Sequence, residues 1–205
     1  MNEINNYIEN FLSYPNPVLK ELESEYQQRD DVAPHIGIHA GAFLAWLIQV
    51  MEVSRALEFG TCIGYSTVFL GHALQKTGGR LTAIEFQERF FEEAKGNVER
   101  AGLSPVVELI HGDASQIIDD LEGPFDLILQ DAAKALYPIM LEKCVQLLRP
   151  GGVIAADDAL FRPMGIREEL SRVMDEYNEK VFADPRLTST ILPIGDGLTI
   201  SVKKK

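Results

Sequence analysis

The chain has 205 residues, enough for one domain with a full core. Its hydrophobic share of 46% and charged share of 24% are those of a globular protein. The formal net charge of −12 repels phosphate backbones and so argues against bulk nucleic-acid binding, without excluding a local site for one nucleotide or a tRNA.

The first fifteen residues have neither a basic start nor an apolar core, so they do not read as a signal peptide. No stretch approaches the ~18 apolar residues of a membrane span. Cys62 and Cys144 lie far apart without metal-ligand spacing, and read as reduced thiols. The expected location is the cytoplasm.

Residues 4–12 and 17–29 predict two helices separated by Pro15 and Pro17, with Val18, Leu22 and Tyr26 on one face. A third, strongly apolar helix is expected over 38–51. From there the pattern alternates. RALEFG (55–60) is a strand, followed by a helix over 64–76. RLTAIE (80–85) is a strand, followed by a helix over 87–101. VVELIHGD (106–113) is a strand with a short helix near 114–121. FDLILQD (125–131) is a strand, followed by a helix over 135–148 closed by RPGG. VIAADD (153–158) is a strand, followed by a helix over 164–182. Strands near 188–193 and 198–203 flank PIGDG, which has hairpin chemistry.

Apolar strands alternating with amphipathic helices specify an α/β fold: a mostly parallel seven-stranded sheet covered on both faces. The C-terminal hairpin adds an antiparallel strand, and extra helices precede the core. The whole chain reads as one domain, with 1–33 as a helical cover and 34–205 as the core. Ligands of such sheets bind beyond the carboxyl ends of the strands, where this chain places a series of acids.

The first such end carries GTCIG, from Gly60 to Gly64, which does not match G-x-G-x-x-G. The second strand ends in Glu85, placed to accept ribose hydroxyls. Together they point to a nucleoside-type cofactor. A dinucleotide needs a helix N-terminus open to a pyrophosphate, and Glu58 would repel that anion. The cationic head of S-adenosylmethionine suits a carboxylate there. Glu58 could equally pair with a lysine or arginine, or accept backbone amides. Ser66 is either a helix cap or a hydroxyl reaching the cofactor. Asp113 and Ala114 stand where an adenine would lie, and Asp113 also suits an N-cap.

The fourth and fifth strands end in Asp131 and in Asp157-Asp158. Adjacent carboxyl ends bring these three acids together, and like charges need a cation between them. A hard divalent ion with oxygen ligands suits them, magnesium first, with manganese or calcium as alternatives. Otherwise, one of the Asp157-Asp158 pair caps a turn and the other faces solvent. Lys134, three residues after Asp131, either lies over the same site as a proton acceptor or is solvated. Tyr137, Phe161 and Met164 either line an acceptor pocket or belong to the core.

The motifs LEFGTCIGYS, AIE, HGDA, FDLILQDAAK, LLRPGGVIAADD and LPIGDGLTISVKK run in order from about residue 34 to the end. In that order and spacing the chain resembles the cation-dependent O-methyltransferases of the catechol and caffeoyl-CoA type, including their small bacterial members. The resemblance implies a Rossmann-like methyltransferase fold and S-adenosyl-L-methionine as cofactor. Glu58, Gly60, Ser66, Glu85, Asp113, Ala114 and Asp131 match its binders. Asp131, Asp157 and Asp158 match the metal site, and Asp131 and Lys134 the catalytic pair. It further implies a homodimer that methylates a small hydroxylated aromatic acceptor. A hydroxyuridine in tRNA and a non-catalytic cofactor-binding protein are the alternatives. Two departures stand out: Asp158 replaces a usual Asn, and Ala133 a frequent acid.

Overall fold

The computed structural model describes residues 2–205. Three helices, α1 (Asn2–Glu9), α2 (Pro17–Tyr26) and α3 (Gly37–Val50), precede the first strand. Then come β1 (Arg55–Phe59), α4 (Tyr65–Thr77), β2 (Arg80–Glu85), α5 (Glu88–Arg100), β3 (Val107–His111) and α6 (Ala114–Ile117). Next are β4 (Phe125–Gln130), a 3₁₀ turn (Lys134–Leu136), α7 (Tyr137–Leu147) and β5 (Leu148–Ala156). The chain closes with α8 (Glu168–Ala183), β6 (Leu187–Leu192) and β7 (Leu198–Lys203).

The seven strands form one sheet in the order β3-β2-β1-β4-β5-β7-β6. Strands β1 to β5 pair in parallel, and β7 runs antiparallel to both β5 and β6. The order reverses between β1 and β4, the place where an open α/β sheet leaves a crevice at its carboxyl edge.

Side chains alternate across the sheet because the strand period is two. Ala56, Leu81, Leu127, Leu129 and Val153 face one core together with Val18, Leu19 and Leu22 of α2 and Leu44 and Ile48 of α3. Leu57, Phe59, Ile84, Ile128 and Ile154 face the other, against α7 and α8. The buried face of α2 thus shares a core with α3, α4 and the sheet.

Two predicted boundaries are corrected. RPGG does not close α7, which ends at Leu147; it lies within β5. Leu148 pairs with Phe125 and Val153 with Leu127, so residues 149–152 bulge out of register. The bulge accommodates Pro150, which has no N–H for the ladder. The last helix begins at Glu168 rather than 164, because Gly165 takes φ +72 and breaks any helical start before it.

Candidate active site at the carboxyl edge of β1, β4 and β5

The turn after β1 is built around glycines. Gly60 has φ +87, and a Cβ there would overlap the carbonyl oxygen of Asp131 and crowd Ala132 Cα at 2.8 Å. Only glycine lets the turn lie directly on the end of β4. Gly64, at φ +92, is the N-cap of α4, so Ser66 is not the cap; it is buried on the first turn of the helix. Asn97 holds the turn from α5, its Nδ2 donating to Ile63 O at 2.9 Å.

Glu58 is completely buried. Its Oε2 accepts from Thr67 Oγ1 at 2.7 Å, and its Oε1 has no partner. Among the described residues, no lysine or arginine pairs with it. Burial pushes its carboxyl up to about 8, although the Ser66 and Thr67 hydroxyls pull the other way. A buried carboxylate oxygen with no donor is a group awaiting one. An ammonium group fits that vacancy in hydrogen-bonding capacity and charge.

Glu85 is engaged differently. Its Oε2 accepts from the amides of Thr61 (3.0 Å) and Cys62 (2.8 Å), and its Oε1 from that of Gln87 (2.9 Å). A carboxylate has about four acceptor positions, so about one remains, on Oε1, for a ribose hydroxyl. Glu85 is therefore first a clamp on the glycine turn. Asp113 caps α6, its Oδ1 accepting from Ser115 N (2.8 Å) and Oγ (2.7 Å), and Ala114 is buried next to it.

Asp131, Asp157 and Asp158 converge as the strand ends suggested. Each offers a carboxylate oxygen, and these lie within 4.8 Å of one another. Burial lifts the Asp131 carboxyl to about 7, with the Asp158 charge adding to the rise and Lys134 opposing it. Burial and the charges of Asp131 and Asp158 hold the Asp157 carboxyl well above the usual range. Asp157 Oδ1 is buried without a partner. Three clustered carboxylates, one of them with an orphaned buried oxygen, fit a hard divalent cation. Asp158 has φ +67, a left-handed conformation that Asp and Asn tolerate better than most residues.

Lys134 is not solvated. Its Nζ lies 3.2 Å from Asp131 Oδ1, 2.5 Å from Asp158 Oδ2 and 2.9 Å from Tyr137 Oη. Burial disfavours its charge, but Tyr137, Asp131 and Asp158 outweigh burial and hold its pKa well above that of a free lysine.

Tyr137 and Phe161 are buried in the second core, so neither lines an open pocket, whereas Met164 is exposed. The Tyr137 hydroxyl is instead part of the site: it donates to Gln130 O at 2.7 Å and accepts from Lys134. Sequence reasoning also missed Asp196. Burial raises its carboxyl, and the Asp158 charge adds to the rise. Its place in PIGDG read as turn chemistry alone.

A family model described as O-methyltransferase matches residues 9–204. The chain belongs to the O-methyltransferase family. Among its relatives is a catechol O-methyltransferase of Niastella koreensis, 30% identical over 98% of this chain and 96% of the relative. The solved O-methyltransferase of Bacillus cereus, in complex with SAH, is 29% identical with a TM-score of 0.85, over 98% of this chain and 97% of that one. The O-methyltransferase TomG of Streptomyces achromogenes, in complex with SAM, is 25% identical with a TM-score of 0.85, over 99% and 96%. This O-methyltransferase therefore has the Rossmann-like fold of its class, with the antiparallel C-terminal strand expected. Among the described residues, no helix is long and apolar enough to cross a membrane.

Proposed function

We propose that this O-methyltransferase transfers the methyl group of S-adenosylmethionine to one hydroxyl of a small catechol-like vicinal diol, with a divalent cation held by Asp131, Asp157 and Asp158. The observation that carries this reading is the cluster of three carboxylates against the glycine turn that flanks the orphaned Glu58. Asp131, Asp157 and Asp158 would hold the cation, which would polarise the oxygens of a diol, and Gly60 and Glu58 would hold the methyl donor beside it.

Glu58 takes the ammonium of the donor, Ser66 its carboxylate end and Glu85 a ribose hydroxyl. Gly60 and Asp131 flank the donor, while Asp113 and Ala114 border the adenine. When bound, a hard divalent ion would supply Lewis-acid polarisation of the acceptor oxygens; magnesium is taken first, because beside a few carboxylates it keeps positions open for water or substrate. Asp158 in place of Asn adds a charge, which favours tighter cation binding and weaker Lewis acidity. A cation held by the aspartates would offset the charges that keep Lys134 protonated, and Lys134, so neutralised, takes the proton from the hydroxyl that is methylated. The acceptor oxygen then attacks the methyl in line and the sulfonium leaves as a neutral thioether. The scaffold supplies alignment, an effect of ~7–11 kcal/mol when geometry is near ideal.

A screen of methyl transfer over catechols, caffeoyl esters and flavonoids, run with and without a chelator, tests the reading. Turnover of vicinal diols that stops on chelation is expected. Chelator-insensitive transfer, or transfer only to isolated hydroxyls, overturns it. Turnover of a hydroxyuridine tRNA alone would move the acceptor to nucleic acid.

The working unit proposed is a homodimer. Ile4 and Tyr7 of α1, Phe11 after it, and Trp46 and Val50 of α3 are large apolar side chains exposed on the chain. At eight residues, α1 is shorter than the ~12–15 that hold a helix in water unaided. A second copy offers the matching apolar surface. Sedimentation should give twice the chain mass, and Trp46→Glu should shift it toward the monomer; a wild-type monomer overturns the proposal.

A further inference from the structure

Lys134 stands where repulsion among three carboxylates calls for a positive charge. An ammonium has three N–H donors. Asp158 Oδ2 at 2.5 Å, Tyr137 Oη at 2.9 Å and Asp131 Oδ1 at 3.2 Å supply three acceptors. Every donor is used, and two of the three acceptors belong to the acidic cluster itself. The third aspartate is left out: Asp157 Oδ1 is buried with no partner.

Resting on the divalent-cation reading above, we propose that Lys134 is the resident counter-cation of this cluster, and that a divalent ion enters by displacing its ammonium from Asp158 and Asp131. Tyr137 then remains as the tether that keeps Nζ beside the site. The displacement is a competition between two cations for the same carboxylates. Each unit of charge that Lys134 contributes to the cluster is attraction that the incoming ion must replace. The aspartate at 158 sharpens the contest, because an asparagine would offer the ammonium only a neutral carbonyl oxygen. Asp157, which Lys134 does not reach, is the carboxylate from which the ion gains without displacing anything. The lysine thus lowers the intrinsic cation affinity of the site while keeping the empty cluster from repelling itself.

Calorimetric titration of manganese into the protein, without S-adenosylmethionine or acceptor, reads this directly. Lys134→Met keeps the length of the side chain and removes the charge, and Lys134→Gln keeps a donor without the charge. Both should bind manganese at least tenfold more tightly than wild type. Equal or weaker binding in the variants overturns the proposal. If a variant is too unstable to titrate, the manganese-induced rise in Tm replaces the calorimetry: a larger rise than in wild type is expected, and an equal or smaller one overturns it. Absence of manganese binding in wild type and variants alike overturns the divalent-cation reading itself, and this proposal with it.

Discussion

Gly60 rests its backbone against the carbonyl of Asp131, so the glycine turn after β1 and the end of β4 are in direct contact. A single Cβ would separate them. Gly60→Ala is expected to combine a strained positive φ with a backbone overlap, costing about 2–4 kcal/mol of stability. SAH affinity should fall at least tenfold, as measured by calorimetry on the folded fraction. Wild-type affinity and Tm in the variant would show that the turn has room to move.

On the proposed reading, in which Glu58 takes the ammonium of the cofactor, cofactor binding depends on pH. Its carboxyl sits at about 8 while its Oε1 lacks a partner, and an ammonium ligand stabilises the ionised form. Near neutral pH, binding therefore releases a proton, and SAH affinity rises as pH rises from about 6 toward 8. Calorimetry in buffers of different ionisation enthalpy measures the proton count. Glu58→Gln should abolish the release and weaken SAH at least tenfold. A proton count of zero in wild type at neutral pH contradicts the assignment.

Asp157 is a source of instability in the metal-free protein. Its carboxyl is raised well above its unfolded value by burial and by Asp131 and Asp158, so the folded state holds the proton more tightly. The sign follows: stability declines as pH rises above the ordinary carboxylate range, with the loss largest once the group is ionised. Asp157→Asn should raise the Tm of the metal-free protein by about 2–4 °C, a change of roughly 1 kcal/mol. It should also remove most of the Tm response to magnesium or manganese. Thermal melts over a pH series, with and without metal, check both effects; a lower Tm without metal refutes the repulsion argument.

Tyr137 is buried and holds Lys134 Nζ at 2.9 Å, which on the proposed mechanism makes it a positioning residue. Tyr137→Phe removes the acceptor for Nζ and one of two donors to the Gln130 carbonyl, which keeps the Asp157 amide at 3.2 Å. Losing that one buried hydrogen bond should cost about 0.5–1.5 kcal/mol of stability. The expected kinetic effect is a roughly tenfold lower kcat, small beside the ~10²–10⁴-fold loss expected for Lys134→Ala. SAH affinity should hold in both, and the pH profile of kcat should shift in Tyr137→Phe. An unchanged profile with an unchanged kcat would reduce Tyr137 to a packing residue.

Much of this protein was legible along the chain because its signals are local. Apolar runs alternating with helical spacing marked all seven strands and the long helices, and RLTAIE was placed to the residue. An acid at a strand end is likewise a local fact, so Asp131, Asp157 and Glu85 could be singled out before any contact was known. Local pattern failed where a paired strand overrode it: RPGG reads as a helix stop, yet Leu148 pairs with Phe125 and draws the segment into β5.

Only the tertiary structure decided which groups meet each acid. Asp131 and Asp158 are 27 positions apart (158 − 131), and their distance depends on the register of β4 against β5. That register brings both within reach of Lys134, which spacing alone left free to be solvated. Glu58 lost its competing readings because α4 brings Thr67, and no cation, to its carboxylate. Glu85 became a clamp because the turn folds back over β2, and Tyr137 became a tether because its hydroxyl meets the end of β4. Sequence sets which groups a chain owns and which way each strand runs. Burial and partners, the quantities that set charge and reactivity, exist only once the strands are side by side.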